Sequence, residues 1–239
     1  MGLRSFVIGH HGEFNAEQKT ERYLELEPPN LCVVVEYHEM MRQVESSYVS
    51  MDDYPALTGA CCLGERILNI LVLKLRSYYK TSKYYKKVYR HDSIHNWELA
   101  IDTLHDWDVL RDGTVACFKE LYLLRNPSVH YESVGDIHPR ALRAVQLVMS
   151  ITDDLFGKRE DVFFSCPGEL YIRQAKETEP IVQEFFVPNC HLVGYKHTVE
   201  DAAEGLRLHD TNDYESSVIT DEEFRELRIK SERTSNQLK

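Results

Sequence analysis

The sequence predicts a mainly α-helical fold, in which a helical bundle is followed by a small antiparallel β appendage (α+β). Two observations lead to this prediction. Between residues 30 and 157, apolar residues recur at the three- and four-residue spacing of helices. After Gly157, short β-branched and aromatic runs separated by Pro, Gly and Asn replace that spacing. We therefore divide the 239 residues into an N-terminal extension (1–29), a bundle (30–157) and an appendage (158–239).

Five helices are expected in the bundle, over 30–49, 57–79, 96–110, 114–127 and 139–157. The first is either a helix throughout or an extended entry into one. The second is apolar nearly all round, which indicates a buried central helix. Thr114 is the expected cap of the fourth, and Pro127 is expected to stop or kink it because a proline disfavours helical geometry in the residue before it.

The appendage is expected to contain strands at 162–164, 170–172, 181–187 and 192–199. Val187-Pro188-Asn189 is interpreted as a turn between the last two. Thr220 and Glu223 form a capping box that opens a final helix over 221–229, and the polar residues 231–239 are expected to fray.

Composition narrows the class of protein. Hydrophobic residues make up 43% of the chain, which is enough for a core and excludes a mainly disordered protein. A net charge of −11 argues against nonspecific coating of duplex DNA. The longest apolar run, Ile67 to Leu73, is interrupted by Asn69 and is shorter than a membrane span. With no secretory signal at its start, the sequence predicts a soluble, cytoplasmic protein.

The most informative stretch lies at the end of the fourth helix, Leu121-Tyr-Leu-Leu-Arg125-Asn126-Pro-Ser-Val-His130. Arg125 continues the apolar face of that helix, where a charge is costly unless something pairs with it. The alternative is an arginine that extends from a helix end into solvent. His130 follows one irregular turn later, close enough to share a site with Arg125.

Arg125-Asn126-Pro127-Ser128-Val129-His130 resembles the motif of the HEPN superfamily, helical bundles marked by Arg, a polar residue, about three variable residues and His. The resemblance covers residues 30–157. It implies a metal-independent ribonuclease that needs no cofactor and works as a homodimer, with the two motifs meeting at the interface. It also implies a toxin–antitoxin or anti-phage defence setting, with an antitoxin or regulatory protein as a further partner.

The chemistry suits these residue types. An imidazole can activate the ribose 2′-OH or protonate the leaving 5′ oxygen, and a guanidinium can hold the phosphoryl oxygens. Arg125 and His130 are therefore the candidate catalytic residues, with Asn126 holding the phosphate or orienting His130. The expected product end is a 2′,3′-cyclic phosphate.

Glu65 is the candidate fourth member of the site. It interrupts the apolar second helix together with Arg66 and Asn69, and Glu65 and Asn69 share one face because they are four residues apart. The resemblance implies an acidic residue here that reaches the Arg–His site. A carboxylate at this position can pair with Arg125 or orient His130. The alternative places Glu65 and Arg66 at the exposed edge of the bundle.

The segment from Lys74 to His91 has seven basic residues and no acidic one, with five tyrosines between them. Cations that hold phosphates beside aromatic faces that stack on bases suit single-stranded RNA. The candidate RNA-binding residues are Lys80, Lys83, Lys86, Lys87, Arg90, Tyr84 and Tyr85. The alternatives are a solvated connector whose tyrosines pack on the bundle, or a surface that an acidic antitoxin covers.

Two other functions stay open at this stage. A bundle of this kind can be a non-catalytic module for dimerisation or nucleotide binding, and Pro127 inside the motif favours this alternative because it changes how His130 is presented. A metal-dependent nuclease or phosphatase would need paired carboxylates beside histidines, and the sequence offers no convincing set, so no metal site is predicted.

Overall fold

The computed structural model describes residues 2–26, 32–129, 136–166, 169–189, 197–202 and 205–210. It is mainly helical, with one small antiparallel sheet, as the sequence predicts. In chain order the helices up to the sheet are α1 (Leu3–His11), α2 (Ala16–Glu25), α3 (Val35–Val49), α4 (Asp53–Leu75), α5 (Tyr85–Val88), α6 (Trp97–Asp106), α7 (Asp112–Val129) and α8 (Ile137–Phe156).

The central element is α4, which packs against α3, α6, α7 and α8. By length and composition it is apolar enough to cross a membrane, but more than half of its most apolar stretch is buried inside the protein. Leu57, Ile67 and Leu71 are fully enclosed. This burial is typical of the core helix of a soluble bundle and agrees with the nearly uniform apolar character of the sequence here.

The predicted helices are present, with shifted ends. The residues before Val35 are extended, and Val33 donates a backbone hydrogen bond to the carbonyl of Phe156. Asn96 caps α6, its side chain accepting from the backbone N–H of Leu99 at 3.0 Å. Thr114 is not the cap of α7, because that helix already begins at Asp112. The buried Thr114 hydroxyl instead donates to Asp154 on α8.

The N-terminal extension contributes two helices that the polar composition of residues 1–29 did not predict. Val7 of α1 is fully buried, and Arg22 of α2 pairs with Asp53 at the start of α4, with Nη1 and Oδ1 2.5 Å apart. A few contacts to the bundle therefore hold helices whose own sequences are mostly polar.

The sheet has four described strands, β1 (Val162–Cys166), β2 (Glu169–Arg173), β3 (His197–Ala202) and β4 (Gly205–Asp210), in the order β1-β2-β4-β3. All neighbouring pairs are antiparallel. Gly205 begins β4 with φ +150°, and a Cβ there would lie 2.0 Å from the carbonyl oxygen of Ile172. The first two predicted strands are confirmed. β3 overlaps the end of the fourth, whose residues 192–196 lie outside the described ranges, as does the predicted helix at 221–229.

The predicted strand at 181–187 is wrong. Helix α9 (Gln174–Glu177) follows β2, and residues 180–189 are then helical, with π geometry over Val182–Phe186 and a final α-helical turn, α10 (Val187–Asn189). The predicted turn at Val187-Pro188-Asn189 is therefore also wrong. Val182, Phe185 and Phe186 are buried. Their spacing of three and four residues places them on one side of a helix, where they meet the bundle.

Candidate functional site

An ion pair joins the two predicted site residues Glu65 and Arg125. Glu65 lies on α4 and Arg125 near the end of α7, and both Nε and Nη2 of Arg125 are 3.1 Å from Oε2 of Glu65. The two side chains are 23% and 27% exposed, with Arg125 the more enclosed. Arg125 therefore does not extend into solvent. The carboxylate fixes its guanidinium at the edge of the bundle core.

The close approach of α4 and α7 makes this pair possible. A Cβ on Gly64 would lie 2.5 Å from a methyl carbon of Leu121 and 3.4 Å from the ring of Trp97. Leu121 is fully buried and lies one turn before Arg125 on α7. Gly64 directly precedes Glu65 on α4. The absence of a side chain at residue 64 thus lets the helices meet at the level of the ion pair.

The neighbouring polar residues of α4 have different partners. Arg66 pairs with Glu36 on α3, and both are substantially exposed, at 50% and 40%. The exposed-edge interpretation therefore holds for Arg66 but not for Glu65. Asn69 binds the backbone of Ile94, accepting from its N–H at 2.6 Å and donating to its carbonyl at 2.7 Å. Its role is to fasten the chain before α6 onto α4.

Residues 126–129 of the motif continue the helix that carries Arg125. Asn126 is partly buried on α7. The helix continues past Pro127 to Val129, so the proline does not stop it. The proline does remove the backbone donor that would reach the carbonyl of Leu123. His130, the predicted second catalytic residue, lies outside the described residues.

A groove of about 660 Å³ lies between α6 and α7, and its described lining reaches Leu123, two residues before Arg125. Trp97 and Ile101 contribute its apolar lining, with His95 and Lys119 among its polar residues. Tyr122, one turn before Arg125, also lines it and stacks at a tilt on Trp97, with ring centroids 5.5 Å apart.

The groove is the feature that sequence reasoning missed. Tyr122 lies three residues before Arg125, at the spacing of the apolar face that Arg125 continues, yet it is 38% exposed, and Leu123 beside it is 68% exposed. Four large apolar residues follow one another at 121–124, and because each is rotated by about 100° from the one before, together they extend nearly all round the helix, so a helix that is not enclosed on every side exposes some of them. This is the signal in the sequence that indicates an exposed apolar surface here.

The basic connector between α4 and α6 divides into two groups of residues. Its first two tyrosines pack on the protein: Tyr78 donates to Glu184 at 2.9 Å, and Tyr79 stacks on Trp107 with centroids 4.8 Å apart. Arg76 is also structural, because its Nη1 donates to the carbonyls of Val88 and His91. The packing alternative is therefore correct for Tyr79, whereas Tyr78 is 48% exposed and is held by its hydrogen bond to Glu184.

The second group contains the predicted RNA-binding residues, which lie together at the surface. Lys83 and Lys87 both lie over the ring of Tyr84, at 5.2 and 4.6 Å, and Lys83 also pairs with Asp106 at 3.1 Å. The hydrogen bond to Asp106 raises the pKa of Lys83. The pKa of Asp106 is lowered mainly by the hydrogen bond from Ser82, and then by the one from Lys83.

The remaining members of the second group extend this surface. Tyr85 stacks on Tyr89 with centroids 5.5 Å apart, and Arg90 lies 5.0 Å from the centre of the Tyr89 ring. Lys80 and Lys86 are exposed. The connector then returns to α4 at Ile94, which is held by Asn69 one helical turn from Glu65.

Within the described ranges, no group of three His, Cys, Asp or Glu side chains is arranged to hold a metal ion. Comparison of the chain with protein-family models, with curated proteins and with solved structures gives no match in any of the three. The function is therefore argued from the geometry and from the motif.

Proposed function

We propose that the protein is a metal-independent endoribonuclease of the HEPN type. The observation that carries the proposal is the ion pair between Glu65 and Arg125, which holds a guanidinium at the end of α7 beside Asn126, five residues before His130. A charged pair at this depth within a bundle costs desolvation energy. A role in phosphate chemistry explains why the chain retains it.

In the proposed reaction the ribose 2′-OH attacks the adjacent phosphorus and the 5′ oxygen leaves. Arg125 donates hydrogen bonds to the phosphoryl oxygens as their charge increases. His130 acts on the 2′-OH proton or on the leaving oxygen, and a second copy in a homodimer supplies the other proton transfer. Asn126 orients the phosphate or His130. Glu65 is a positioning residue, because it acts through Arg125.

The surfaces next to the site fit a single-stranded RNA substrate. The connector offers lysines on aromatic rings, an arrangement suited to phosphates and stacked bases. It leads along α4 toward the ion pair, since Asn69 fastens Ile94 one turn from Glu65. We propose that RNA follows this path. The toxin–antitoxin or anti-phage setting and an antitoxin partner rest on the family resemblance alone.

One observation favours a second function, a non-catalytic interaction module of the same HEPN-like type. Leu123 and Tyr122 expose apolar surface beside the motif, and such a patch marks a site of association. For the ribonuclease this patch is the proposed dimer contact. For the interaction module, this patch is the functional surface itself, and the protein cleaves no RNA.

Incubation with RNA in the presence of EDTA separates the two functions. We expect the wild-type protein to cleave a labelled single-stranded RNA and leave 2′,3′-cyclic phosphate ends. The same oligonucleotide with 2′-O-methyl groups should stay intact, because its nucleophile is blocked. Replacing Arg125 by Gln should reduce the cleavage rate by roughly 10²–10³-fold, and His130→Ala should abolish cleavage.

The matched control is His105→Ala, which removes an exposed histidine of α6 that pairs with Asp112. This variant should cleave like the wild type. If the wild-type protein leaves RNA intact at high concentration, the interaction module is the better assignment. If EDTA stops cleavage, the reaction is metal-dependent and the proposed mechanism is wrong.

A further inference from the structure

A second pocket, of about 300 Å³, shares none of its described lining residues with the groove between α6 and α7. It lies where the ends of α6 and α8 meet the chain that follows β2. Trp107 and Arg111 line it from the bundle, and Lys176 and Pro180 line it from the C-terminal part. Arg159, between α8 and β1, completes the lining. A molecule bound here would contact both parts of the protein at once.

Arg159 differs from the other cations of this pocket in its partners. Arg111 pairs with Asp154, with Nη1 and Oδ1 3.3 Å apart, and Lys176 pairs with Glu179. Over the residues that the structure describes, no carboxylate lies within ion-pairing distance of Arg159. The side chain is partly buried, and its enclosed Nε has no hydrogen-bond partner among the described residues. A charge in this position is costly unless an anion pairs with it.

The position of Arg159 is fixed by its surroundings. Its backbone N–H and carbonyl both bond to Val162, at 3.0 and 3.1 Å, which closes a tight turn. Its guanidinium lies 5.8 Å from the centre of the Phe186 ring. The arginine is therefore held in place before any ligand arrives, which lowers the entropic cost of binding.

Trp107 adds a second donor without an acceptor. It is 3% exposed and stacks on Tyr79, and its Nε1 has no hydrogen-bond partner within the described part of the chain. Buried polar groups in folded proteins are normally paired, so two such donors on the lining of one pocket call for an explanation. Both side chains line the same pocket, where a ligand rich in acceptor oxygens would supply the missing acceptors.

We propose that this pocket binds a small phosphate monoester, with the phosphate on Arg159. The forked donors of a guanidinium match phosphate oxygens. Asp108, exposed on the same lining, offers acceptors to the sugar hydroxyl groups of the ester. Inorganic phosphate has no sugar and therefore lacks these groups. A volume of about 300 Å³ is at the lower end of small-molecule sites and suits a sugar phosphate or a mononucleotide.

The chain offers a direct signal for this test because it has two tryptophans, and Trp107 lines the pocket whereas Trp97 lines the groove. We would titrate the Trp97→Phe protein with ribose 5-phosphate, AMP, inorganic phosphate and citrate, following tryptophan fluorescence. Saturable binding of ribose 5-phosphate or AMP is expected, at least about tenfold tighter than that of inorganic phosphate or citrate. Calorimetry on the wild-type protein repeats the measurement without a substitution in the core.

The variant Arg159→Gln should weaken binding by about tenfold or more, because it removes the charged fork. Its matched control is Arg173→Gln. Arg173 also lies over a phenylalanine ring, 6.0 Å from the centre of Phe163, but it does not line the pocket. Affinity should be unchanged in this control. Circular dichroism of both variants establishes that they fold.

Three results would overturn the proposal. The first is no saturable binding of either ester up to about 10 mM, well above the affinity of a specific site. The second is equal affinity in the wild type and in Arg159→Gln. The third is equal affinity for the esters, citrate and inorganic phosphate, which would describe a general anion patch. None of these measurements involves RNA cleavage, so the proposal stands or fails independently of the ribonuclease.

Discussion

The ion pair between Glu65 and Arg125 should stabilise the fold measurably, and a double-mutant cycle can isolate its contribution. The cycle compares the wild type with Glu65→Ala, Arg125→Ala and the double variant. Its coupling energy excludes the other contacts of each residue, because these are lost in the single variants. A second cycle on Glu36 and Arg66 serves as the control, since this pair lies next to the first on α4.

The magnitude follows from distance and exposure. At 3.1 Å and an effective dielectric constant of about 20, two unit charges attract by about 5 kcal/mol before desolvation and side-chain entropy are subtracted. Exposed pairs retain about 0.2–1 kcal/mol, and loss of one partner of a buried pair costs about 3–5 kcal/mol. With about a quarter of each side chain exposed, we expect a coupling of about 1.5 kcal/mol for Glu65 and Arg125.

The control pair tests whether exposure or distance determines the size of the coupling energy. Arg66 and Glu36 approach more closely, to 2.5 Å, but they are 50% and 40% exposed. We therefore expect their coupling to be only about 0.5 kcal/mol. The assay is urea denaturation followed by circular dichroism at low and high salt, where salt should weaken the control pair more. A coupling for Glu65 and Arg125 no larger than that of the control would refute the reasoning.

Three further predictions concern the surroundings of the site. We expect the wild-type protein to be a dimer in light scattering and Leu123→Glu to be a monomer. The control Ala116→Glu, at an exposed position of the same helix, should remain a dimer. A monomeric wild type would contradict this prediction. Asn69→Ala should lower the free energy of unfolding by about 2 kcal/mol, because both polar backbone groups of Ile94 lose their partner; an unchanged urea midpoint would argue against this role. Burial raises the pKa of Glu45 in the folded protein. The folded state is therefore destabilised as the pH rises above the pKa that Glu45 has in the unfolded chain. Glu45→Gln should therefore stabilise the protein at neutral pH, and the gain should disappear toward pH 4 in thermal melts; a gain that is constant with pH would contradict the assignment.

The helices of the bundle could be predicted because burial imposes their pattern. The central helix α4 is surrounded by other helices, so its sequence is apolar on nearly every side. Glu65 could be singled out for the same reason, since a carboxylate within such a helix needs a partner. The sequence alone could not show that Glu65 and Arg66 contact different neighbours, Glu65 a residue of α7 and Arg66 a residue of α3.

The failures also have physical causes. Residues 181–187 were assigned to a strand from their β-branched and aromatic composition, but Val182, Phe185 and Phe186 have helical spacing, and the contact with the bundle decides the outcome. Helices α1 and α2 are short and polar, so their own sequences carry little signal and tertiary contacts such as that of Arg22 with Asp53 hold them.

The aromatic cluster around Phe156 affects how the whole chain folds. Phe156 is the last residue of α8, and its ring lies 4.5 Å from that of Tyr37 and 5.6 Å from that of Phe185, centre to centre. One of these three rings comes from beyond residue 157, so a fragment cut there would expose the other two to water. The sheet contributes Leu170, Ile172 and Leu208 to the same buried core, so we expect the bundle and the sheet to melt in a single transition.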